Sequence, residues 1–586
     1  MPCVVDMHRY SESAVAGAQT IYTHPIPCAF VMGFRHQLQS RSSAAVRGNK
    51  ANTKRGCSQR LAEKMAIKTS FYNVLLAMFA ATGSFLFGYD SGVMTDVIAS
   101  PHFLNYFTTT RTSPIIGAIN STFSGGAVVG ALMGGLTMDR YGRKKTVQIG
   151  ALIAAIGAVL QCGAVNLAMI LIGRIIAGWA VGLMSMSIPV YQAECAHPKM
   201  RGLIVGLTQQ MIGIGFIVST WIGYGCHHAP DNNSVQWRFP LAFQFVPALM
   251  LLIGFAWLPE SPRWLIENDR SEEGYRILKR LHFDGTNGDW LQQEFNEIVA
   301  TISAEKAITV PGWRIMFTVP QWRTRLFHGT LVQVFTQFSG INAIGYYQTI
   351  MYESLGITGS RAILVAGIYN CVGPIANAIF IFFILDRVGR KRPLILGAVG
   401  ITIALIFEAV INSQNPNGNN HGLSIAGVFF LFLVSVIFSL SFGPISWVYM
   451  SEIMPMQIRG RGNAFATGIG NWVCATFISQ ISPTALGEIG WKFYFIFVAF
   501  NVAVTIPVIW FFFKETNGLS LEGIDLLFGE GRAMGTLPRV IGEEDVKDAV
   551  RRASAAGGDG EKGEMQFDEG ERDERESGEE RGRFVR

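Results

Sequence analysis

The chain has 586 residues, of which 49% are apolar, 12% aromatic and only 15% charged, with a formal net charge of +6. So little polar surface cannot solvate a soluble chain of this size, so the apolar side chains face lipid. The Lys and Arg excess lies between apolar runs, where it sets membrane orientation and excludes a nucleic-acid partner as its explanation; eight cysteines with no CxxC spacing exclude a zinc site or a disulfide framework.

In chain order, residues 1–64 scatter Arg, Ser, Gly and His without periodicity and hold no apolar core of signal-peptide length, which predicts a disordered cytoplasmic extension. Met65 leads directly into the first apolar run and is a candidate start. Runs of about 20 apolar residues suffice to cross a bilayer core of about 30 Å as helix. Twelve are expected: 71–98, 114–138, 146–165, 167–190, 203–225 and 239–258, then 327–351, 362–385, 393–411, 423–450, 462–485 and 491–513. Between the two sets, 259–326 carries mixed charge and weak helical patterns, and reads as a linker of short surface helices. The tail, 514–586, alternates acid and base among many glycines, a composition that buries too little surface to fold.

Two short patterns are written twice. Asp139-Arg-Tyr-Gly-Arg143-Lys recurs as Asp386-Arg-Val-Gly-Arg390-Lys, and Val190-Tyr-Gln-Ala-Glu194 with Arg201-Gly recurs as Val448-Tyr-Met-Ser-Glu452 with Arg459-Gly. Each copy adjoins an apolar run, so the repeat marks two six-helix halves, 65–258 and 327–513, with equivalent charged turns, the usual plan of a transporter. These turns hold most of the inter-helix Lys and Arg, whereas the opposite side offers only Arg111, Arg238, Arg361 and Lys492; the rich side, and with it both termini, is expected to be cytoplasmic. Asn232-Asn-Ser234 is a glycosylation sequon on the other side.

At this point the residues resemble the sugar porter family of the major facilitator superfamily over about 460 positions, in the manner of fungal-type monosaccharide proton symporters. The matching stretches are Gly83 to Asp90, Asp139 to Lys144, Gly173-Arg174 through Pro189-Val-Tyr191 to Glu194 and Arg201-Gly202, Pro259-Glu-Ser-Pro-Arg263, Gln337-Phe-Ser-Gly-Ile-Asn342 with Tyr346-Tyr347, Gly443-Pro-Ile-Ser-Trp447, and Glu515-Thr-Asn-Gly518. Two departures stand out: Thr336 precedes Gln337 where the family has a second Gln, and Lys514-Glu-Thr-Asn-Gly518 replaces the usual Pro-Glu-Thr-Lys-Gly. The resemblance implies an all-α membrane protein with twelve transmembrane helices in the major facilitator fold.

Charges inside membrane helices cost about 2.5–3.5 kcal/mol at mid-helix and demand a reason. Counted at about 1.5 Å per residue, Asp90 lies about 15 Å below Pro101 and Arg174 about 12 Å below Asn166, so the two share a depth. An Asp whose charge is favoured by an Arg and disfavoured by burial is a proton carrier in waiting; by resemblance, an acid at this position marks symporters. Glu408, four residues from Asn412 at its helix end, is expected to snorkel and is given no role.

A sugar needs uncharged groups that both donate and accept, plus an aromatic face. Gln209, Gln210, Gln337, Asn342 and Asn471 supply the amides, with Gly340 between two of them loosening the seventh helix. By resemblance the sugar-contacting positions are Gln209, Gln337, Asn342, Tyr346, Trp447 and Asn471; Gln210 and Asn370 read better as helix–helix hydrogen bonds. Trp447 follows Gly443-Pro444, expected to break the tenth helix. Glycines at 125, 126, 130, 134, 135, 178 and 182 let helices approach closely.

The duplicated acids exceed what orientation alone requires. Asp139, Arg143, Glu194 and Arg201, with Asp386, Arg390, Glu452, Arg459, Glu260 and Glu515, are expected to form a cytoplasmic gate network that must break for release. The resulting expectation is a secondary active transporter at the plasma membrane, importing a monosaccharide or related polyol by proton symport, with the proton as its only coupling ion, no cofactor and no metal, and a monomeric functional unit in the lipid bilayer. A facilitative uniporter and a transporter-like nutrient sensor are the alternatives. An enzyme is not expected, for no nucleophile motif or nucleotide loop appears; the particular sugar is not legible.

Overall fold

In the computed structural model the described residues run from 72 to 528, less 74, 197–200, 231–232, 284, 309–312, 416–417, 456–457, 518–523 and 525–526. The chain divides into two compact units, 1–524 and 525–586; every helix below lies in the first, and in the second only Leu527 and Phe528 are described. The expectations for 1–64, for the distal tail and for Asn232 lie outside the described residues.

Among the described residues the fold is all-helical. The long rods are α1 (Thr82–Val97), α2 (Pro114–Tyr141), α3 (Arg143–Cys162), α4 (Leu167–Cys195), α5 (Arg201–His227), α6 (Val235–Gly254), α7a (Pro320–Phe338), α7b (Ile341–Ser354), α8 (Ser360–Ile384), α9 (Lys391–Gln414), α10a (His421–Ser439), α10b (Phe442–Ile453), α11 (Arg459–Phe465, Ala466–Val473 and Cys474–Glu488) and α12 (Gly490–Phe512). Eight of them, α2, α3, α4, α6, α8, α9, α10 and α12, are long and apolar enough to cross a membrane. Leu136, Ile172, Phe383, Leu396, Phe477 and Phe511 are each more than half exposed, as lipid-facing side chains are. The rods outside that set, α1, α5, α7 and α11, carry Asp90, Gln209, Gln337, Asn342 and Asn471, while Arg174 and Trp447 lie on α4 and α10b.

Small residues decide how these rods meet. A Cβ on Gly178 would lie 1.9 Å from the Phe123 carbonyl oxygen, and one on Gly130 would lie 2.1 Å from that of Trp179, so α2 and α4 touch backbone to backbone. Gly125, by contrast, faces open space. The first six rods meet the later ones chiefly along α2 against α11 and α5 against α8, with α1 also against α7b.

The interval 259–326 contains helices at Pro262–Glu267, Ser271–His282, Gly288–Ile308 and Ile315–Thr318. Ser261 caps the first by accepting from the Trp264 N–H at 3.3 Å. Their apolar faces are not merely surface: Leu281 is fully buried against Leu76, Ala80 and Tyr191, and its carbonyl accepts a 2.8 Å bond from Asn73. The rod after this interval starts at Pro320, seven residues before its apolar run, because Pro320 takes the first helical turn, where its missing N–H costs nothing.

Candidate functional site

Both expected helix interruptions are present, one of them displaced, and a third irregularity lies in α11. Gly340 takes φ +85°, a left-handed conformation open to glycine, and separates α7a from α7b. The break in α10 falls at Leu440–Ser441 rather than at Gly443-Pro444; Ser441 has φ −142° and ψ −94°. Pro444 instead sits in the first turn of α10b, a position whose N–H needs no intrahelical partner. In α11 the stretch Ala466–Val473 is π-helical and carries Asn471; such bulges re-aim side chains and gather at functional sites.

These breaks bring three amides into one row. Gln337 Nε2 donates to Asn471 Oδ1 at 2.5 Å, and Asn342 Nδ2 donates to Gln337 Oε1 at 2.6 Å. Gln337 and Asn471 are buried and Asn342 is half-buried. The row leaves the Asn342 carbonyl as acceptor at one end and the Asn471 NH2 as donor at the other, the combination that neighbouring hydroxyls of a polyol require. Tyr346 is buried one turn along α7b, and Gln209 and Trp447 are half-buried on α5 and α10b. Gln210 accepts from Asn377 Nδ2 at 2.9 Å and Asn370 donates to Thr220 Oγ1 at 2.8 Å; both tie α5 to α8.

Asp90 and Arg174 share a depth and are both 1% exposed. Their contact, however, runs through the main chain: Arg174 Nη1 donates to the Asp90 carbonyl at 3.0 Å, and Nε to the Ile119 carbonyl at 3.3 Å. Oδ1 of the Asp90 carboxyl is buried without a hydrogen-bond partner. The guanidinium lies 4.2 Å from the centroid of the Phe123 ring, a cation–π contact. Phe123 meets Trp472 edge-on at 6.2 Å, and Phe87 of α1 meets Trp472 at 5.2 Å. Trp472 follows Asn471 directly, so one aromatic stack spans the interval from Asp90–Arg174 to the amide row. Neither Phe123 nor Trp472 was singled out by sequence, since aromatics inside apolar runs carry no distinguishing signal.

At the end of the bundle away from the duplicated charged turns, α1 and α2 are sealed against α7b and α11. Thr95 Oγ1 donates to the Gly345 carbonyl at 3.0 Å, Thr349 Oγ1 to the Thr95 carbonyl at 3.4 Å, Asn120 Nδ2 to the Tyr347 hydroxyl at 3.0 Å and Ser121 Oγ to Gln480 Oε1 at 2.6 Å. Arg111 and Glu353 form an ion pair at the same end. Next to Thr95 lies Asp96, which sequence reasoning missed: it is buried, both carboxylate oxygens lack a partner, and a Cβ on Gly223 would lie 2.4 Å from Oδ2.

The charged turns form two near-identical brackets. Arg143 Nη2 donates to Glu194 Oε1 at 2.9 Å, and Ser261 Oγ to the other Glu194 oxygen at 2.5 Å. Correspondingly, Arg390 Nη2 donates to Glu452 Oε1 at 2.9 Å, and Thr516 Oγ1 to the other Glu452 oxygen at 2.7 Å. Glu260 Oε1 accepts from the main-chain N–H groups of Arg143, Lys144 and Ser261 at 3.0–3.1 Å. Glu515 accepts from those of Arg390, Lys391, Thr516 and Asn517 at 2.7–3.2 Å. Burial pushes the Glu260 carboxyl above the ordinary range; burial of Glu515 acts in the same sense but is outweighed by its N–H donors, which hold it below that range.

Gly142 and Gly389, at φ +88° and +84°, make room for the brackets: a Cβ would lie 2.5 Å from Glu260 Oε2 and 2.8 Å from Glu515 Oε2. Each of these two bracket pairs thus closes within its own set of rods, α3 to α4 and α9 to α10b. Asp139 is exposed, and its carbonyl accepts from Trp264 Nε1 at 3.1 Å. Arg459 Nε donates to the Met454 carbonyl at 3.3 Å. The side chains of Arg201 and Asp386 lie outside the described ones.

One expectation is overturned outright. Glu408 does not snorkel: it is 0% exposed and neither carboxylate oxygen has a hydrogen-bond partner. Its helix continues to Gln414, and Gly427 of α10a packs over the carboxylate, so the side chain points into the bundle.

Residues 76–528 match the family model described as sugar (and other) transporters. The chain is 39% identical over 478 residues to the MFS-type transporter criB of Aspergillus cristatus, covering 81% of this chain and 96% of that one. It is 31% identical over 482 residues to the sugar transporter STL1 of Saccharomyces cerevisiae, covering 79% and 82%. Among solved structures it is similar to the proton:xylose symporter XylE of E. coli bound to 6-bromo-6-deoxy-D-glucose, at 26% identity and a TM-score of 0.68, covering 78% of this chain and 100% of the other. With the family model spanning most of its length, the chain belongs to the sugar porter family of the major facilitator superfamily and is a membrane transport protein.

Proposed function

We propose that this chain imports a monosaccharide or related polyol together with a proton across the plasma membrane. In this reading twelve helices span the bilayer in two halves, 65–258 and 327–513, with the 259–326 linker and both termini cytoplasmic. The amide row, Gln209, Tyr346 and Trp447 hold the sugar, and rocking of the halves exposes it to each side in turn. Asp90 takes up the proton, and Arg174 responds by redistributing its bonds between the carboxylate and the two carbonyls it now holds. The Arg143–Glu194 and Arg390–Glu452 brackets stiffen the cytoplasmic ends of each half so that it moves as a body. The functional unit is the monomer, with the proton as the only coupling ion.

The observation that carries this reading is a buried Asp90 carboxyl, its Oδ1 without a hydrogen-bond partner, joined through Arg174, Phe123 and Trp472 to a row of amides. An acid so placed changes charge at a cost the protein feels, and the stack gives that change a contact route to the sugar site. The names of the relatives point the same way, one a sugar transporter and one a proton:xylose symporter.

The test is uptake of a panel of labelled hexoses, pentoses and polyols by transport-deficient yeast, with external pH recorded. Uphill accumulation, alkalinisation of the medium on sugar addition and collapse with a protonophore are expected. Asp90→Asn is expected to abolish accumulation while sparing exchange. Accumulation with an intact proton current in that variant would refute the assignment of Asp90, and flux without any proton movement in the wild type would make the chain a uniporter.

A further inference from the structure

Glu408 sits where α7b, α8, α9, α10a and α12 converge. Its neighbours are Tyr352 of α7b and Tyr494 of α12, with Tyr369 of α8 beside Tyr352 and Asn412 one turn further along α9. α10a contributes Gly427, whose Cβ position would lie 3.2 Å from Oε2, and no titratable group there. The two carboxylate oxygens and the hydroxyls of Tyr352, Tyr369 and Tyr494 are all buried without a well-formed hydrogen bond. Among the described residues no cation lies within ion-pairing distance of Glu408. Asn412 approaches Glu408 and Tyr494, and Ser435 approaches Tyr369; five buried polar atoms in one place with no well-formed bond among them mark a site built for something other than packing.

The internal duplication identifies what belongs there. Arg143 and Arg390 play the same part at the starts of α3 and α9. Counting equal distances from each reaches Gln161 in the first half and Glu408 in the second. Gln161 is a neutral, fully buried amide whose Nε2 donates towards the carbonyls of Gly157 and Gly173 and to Gln244 Oε1 at 3.3–3.4 Å. Gly173 packs on Gln161 as Gly427 packs on Glu408; a Cβ there would lie 2.8 Å from Gln161 Cγ. The position therefore takes a neutral side chain that donates. A carboxyl group meets that requirement only with a proton on it.

Tyr352, over this site, belongs to a helix with points at which it can bend. Tyr352 lies on α7b, whose Gly345, Tyr346 and Tyr347 make the bonds that seal the end of the bundle facing outward in the orientation proposed above. Tyr347 itself has non-helical φ −124° and ψ 19°, and with Gly340 it gives α7b two points at which to bend. Bending there would lift Tyr352 off Glu408 and admit water to the carboxyl.

We propose that Glu408 is a second protonation site, which holds a proton while α7b is closed over it and releases that proton to the outer solution when α7b swings away. Uptake and release occur on the same side, so this proton is not transported; it makes closure of the outer gate depend on outer pH. Closure is favoured in acid and opening as pH rises. An ordinary phenol ionises only near pH of about 10, so the surrounding tyrosines do not compete in the working range.

The experiment is amide hydrogen exchange on the full chain in lipid nanodiscs without any sugar, in mildly acidic and mildly alkaline buffer, corrected for intrinsic exchange. Leaving out sugar separates a failure here from a failure of the symport reading. Protection within Ile341–Ser354 is expected to fall on alkalinisation by up to about tenfold per pH unit, the limit for linkage to one proton. In Glu408→Gln that segment should be as protected as the acid form of the wild type at both pH values, and Tyr352→Phe should retain a smaller response. A wild type without the response, or a Glu408→Gln protein that keeps it, would overturn the proposal. Should Glu408→Gln fail to fold, infrared spectroscopy of the Asp90→Asn, Asp96→Asn double variant decides the matter. A protonated-carboxyl band that disappears in alkali supports the site, and the lack of one in acid refutes it.

Discussion

Replacing Gln337 by Leu tests the amide row with little change of volume. Gln337 supplies the central link, donating at 2.5 Å to Asn471 and accepting at 2.6 Å from Asn342. The variant leaves the Asn471 carbonyl and one Asn342 N–H without partners and lets both amides rotate. Each neutral bond contributes about 1–1.5 kcal/mol, so alignment of the row loses about 2–3 kcal/mol. Asn342 is half-buried and recovers part of its share from water, which puts the working figure near the lower end. At about 1.4 kcal/mol per factor of ten, sugar affinity should weaken about 30-fold. The assay is counterflow in proteoliposomes, using whichever labelled sugar the wild type accumulates, with thermal melting as a control for folding. Asn370→Ala is the matched comparison: it removes the 2.8 Å bond to Thr220 between α5 and α8, and should lower the melting temperature while leaving the half-saturating sugar concentration within about twofold. A folded Gln337→Leu protein with wild-type half-saturation would show that the row is packing and not a sugar site.

The brackets make two further predictions. Gly142→Ala places a methyl group 2.5 Å from Glu260 Oε2 at φ +88°; backbone strain of about 1–2 kcal/mol adds to disrupted charge-assisted bonds, and a clear loss of thermal stability in detergent is expected. An unchanged melting temperature would refute the close fit. The second concerns acid. Glu515 is held below the ordinary carboxylate range, so its stabilisation is complete above that range and lost as pH falls through its depressed value. Glu260 is pushed above the range by burial, so it takes up its proton earlier in an acid titration, and ionising it costs stability as pH rises. On acidification, amide exchange corrected for its intrinsic rate should therefore accelerate at Arg390 and Lys391 as Glu515 takes up its proton, whereas exchange at Arg143 and Lys144 should slow as Glu260 takes up its own. Responses of the same sign at both brackets, or reversed ones, would contradict the assignment.

Much of the site is legible because it is local. Gln337, Gly340 and Asn342 stand within six residues, and a glycine between two amides in an apolar run already implies a broken helix presenting polar groups. Asp90 and Arg174 are exceptions to hydropathy in their own helices, and simple counting along a helix puts them at one depth. What counting cannot supply is direction. It does not reveal that Arg174 grips the Asp90 carbonyl while Oδ1 of the carboxyl stays without a hydrogen-bond partner, since the choice depends on where α2 and α4 place Ile119 and Phe123. Asn471 joins the row only through a π-helical stretch, which has no sequence signature. Asp96 went unnoticed because, six residues from Asp90 near a helix end, it reads as an exposed terminal acid; the close approach of Gly223 is what buries it.

The two brackets and Glu408 divide the matter most sharply. Sequence alone determined that the chain is a duplicated membrane protein of the sugar porter family, because hydropathy, repeated charge patterns and ordered motifs are properties of the chain read in one dimension. Only the tertiary structure decided that Arg143 pairs with Glu194 and Arg390 with Glu452, each inside its own set of rods, and that Glu408 turns inward beneath Gly427 rather than outward to the headgroups. The free energy of a charge depends on what surrounds it in three dimensions, and residues distant along the chain supply those surroundings.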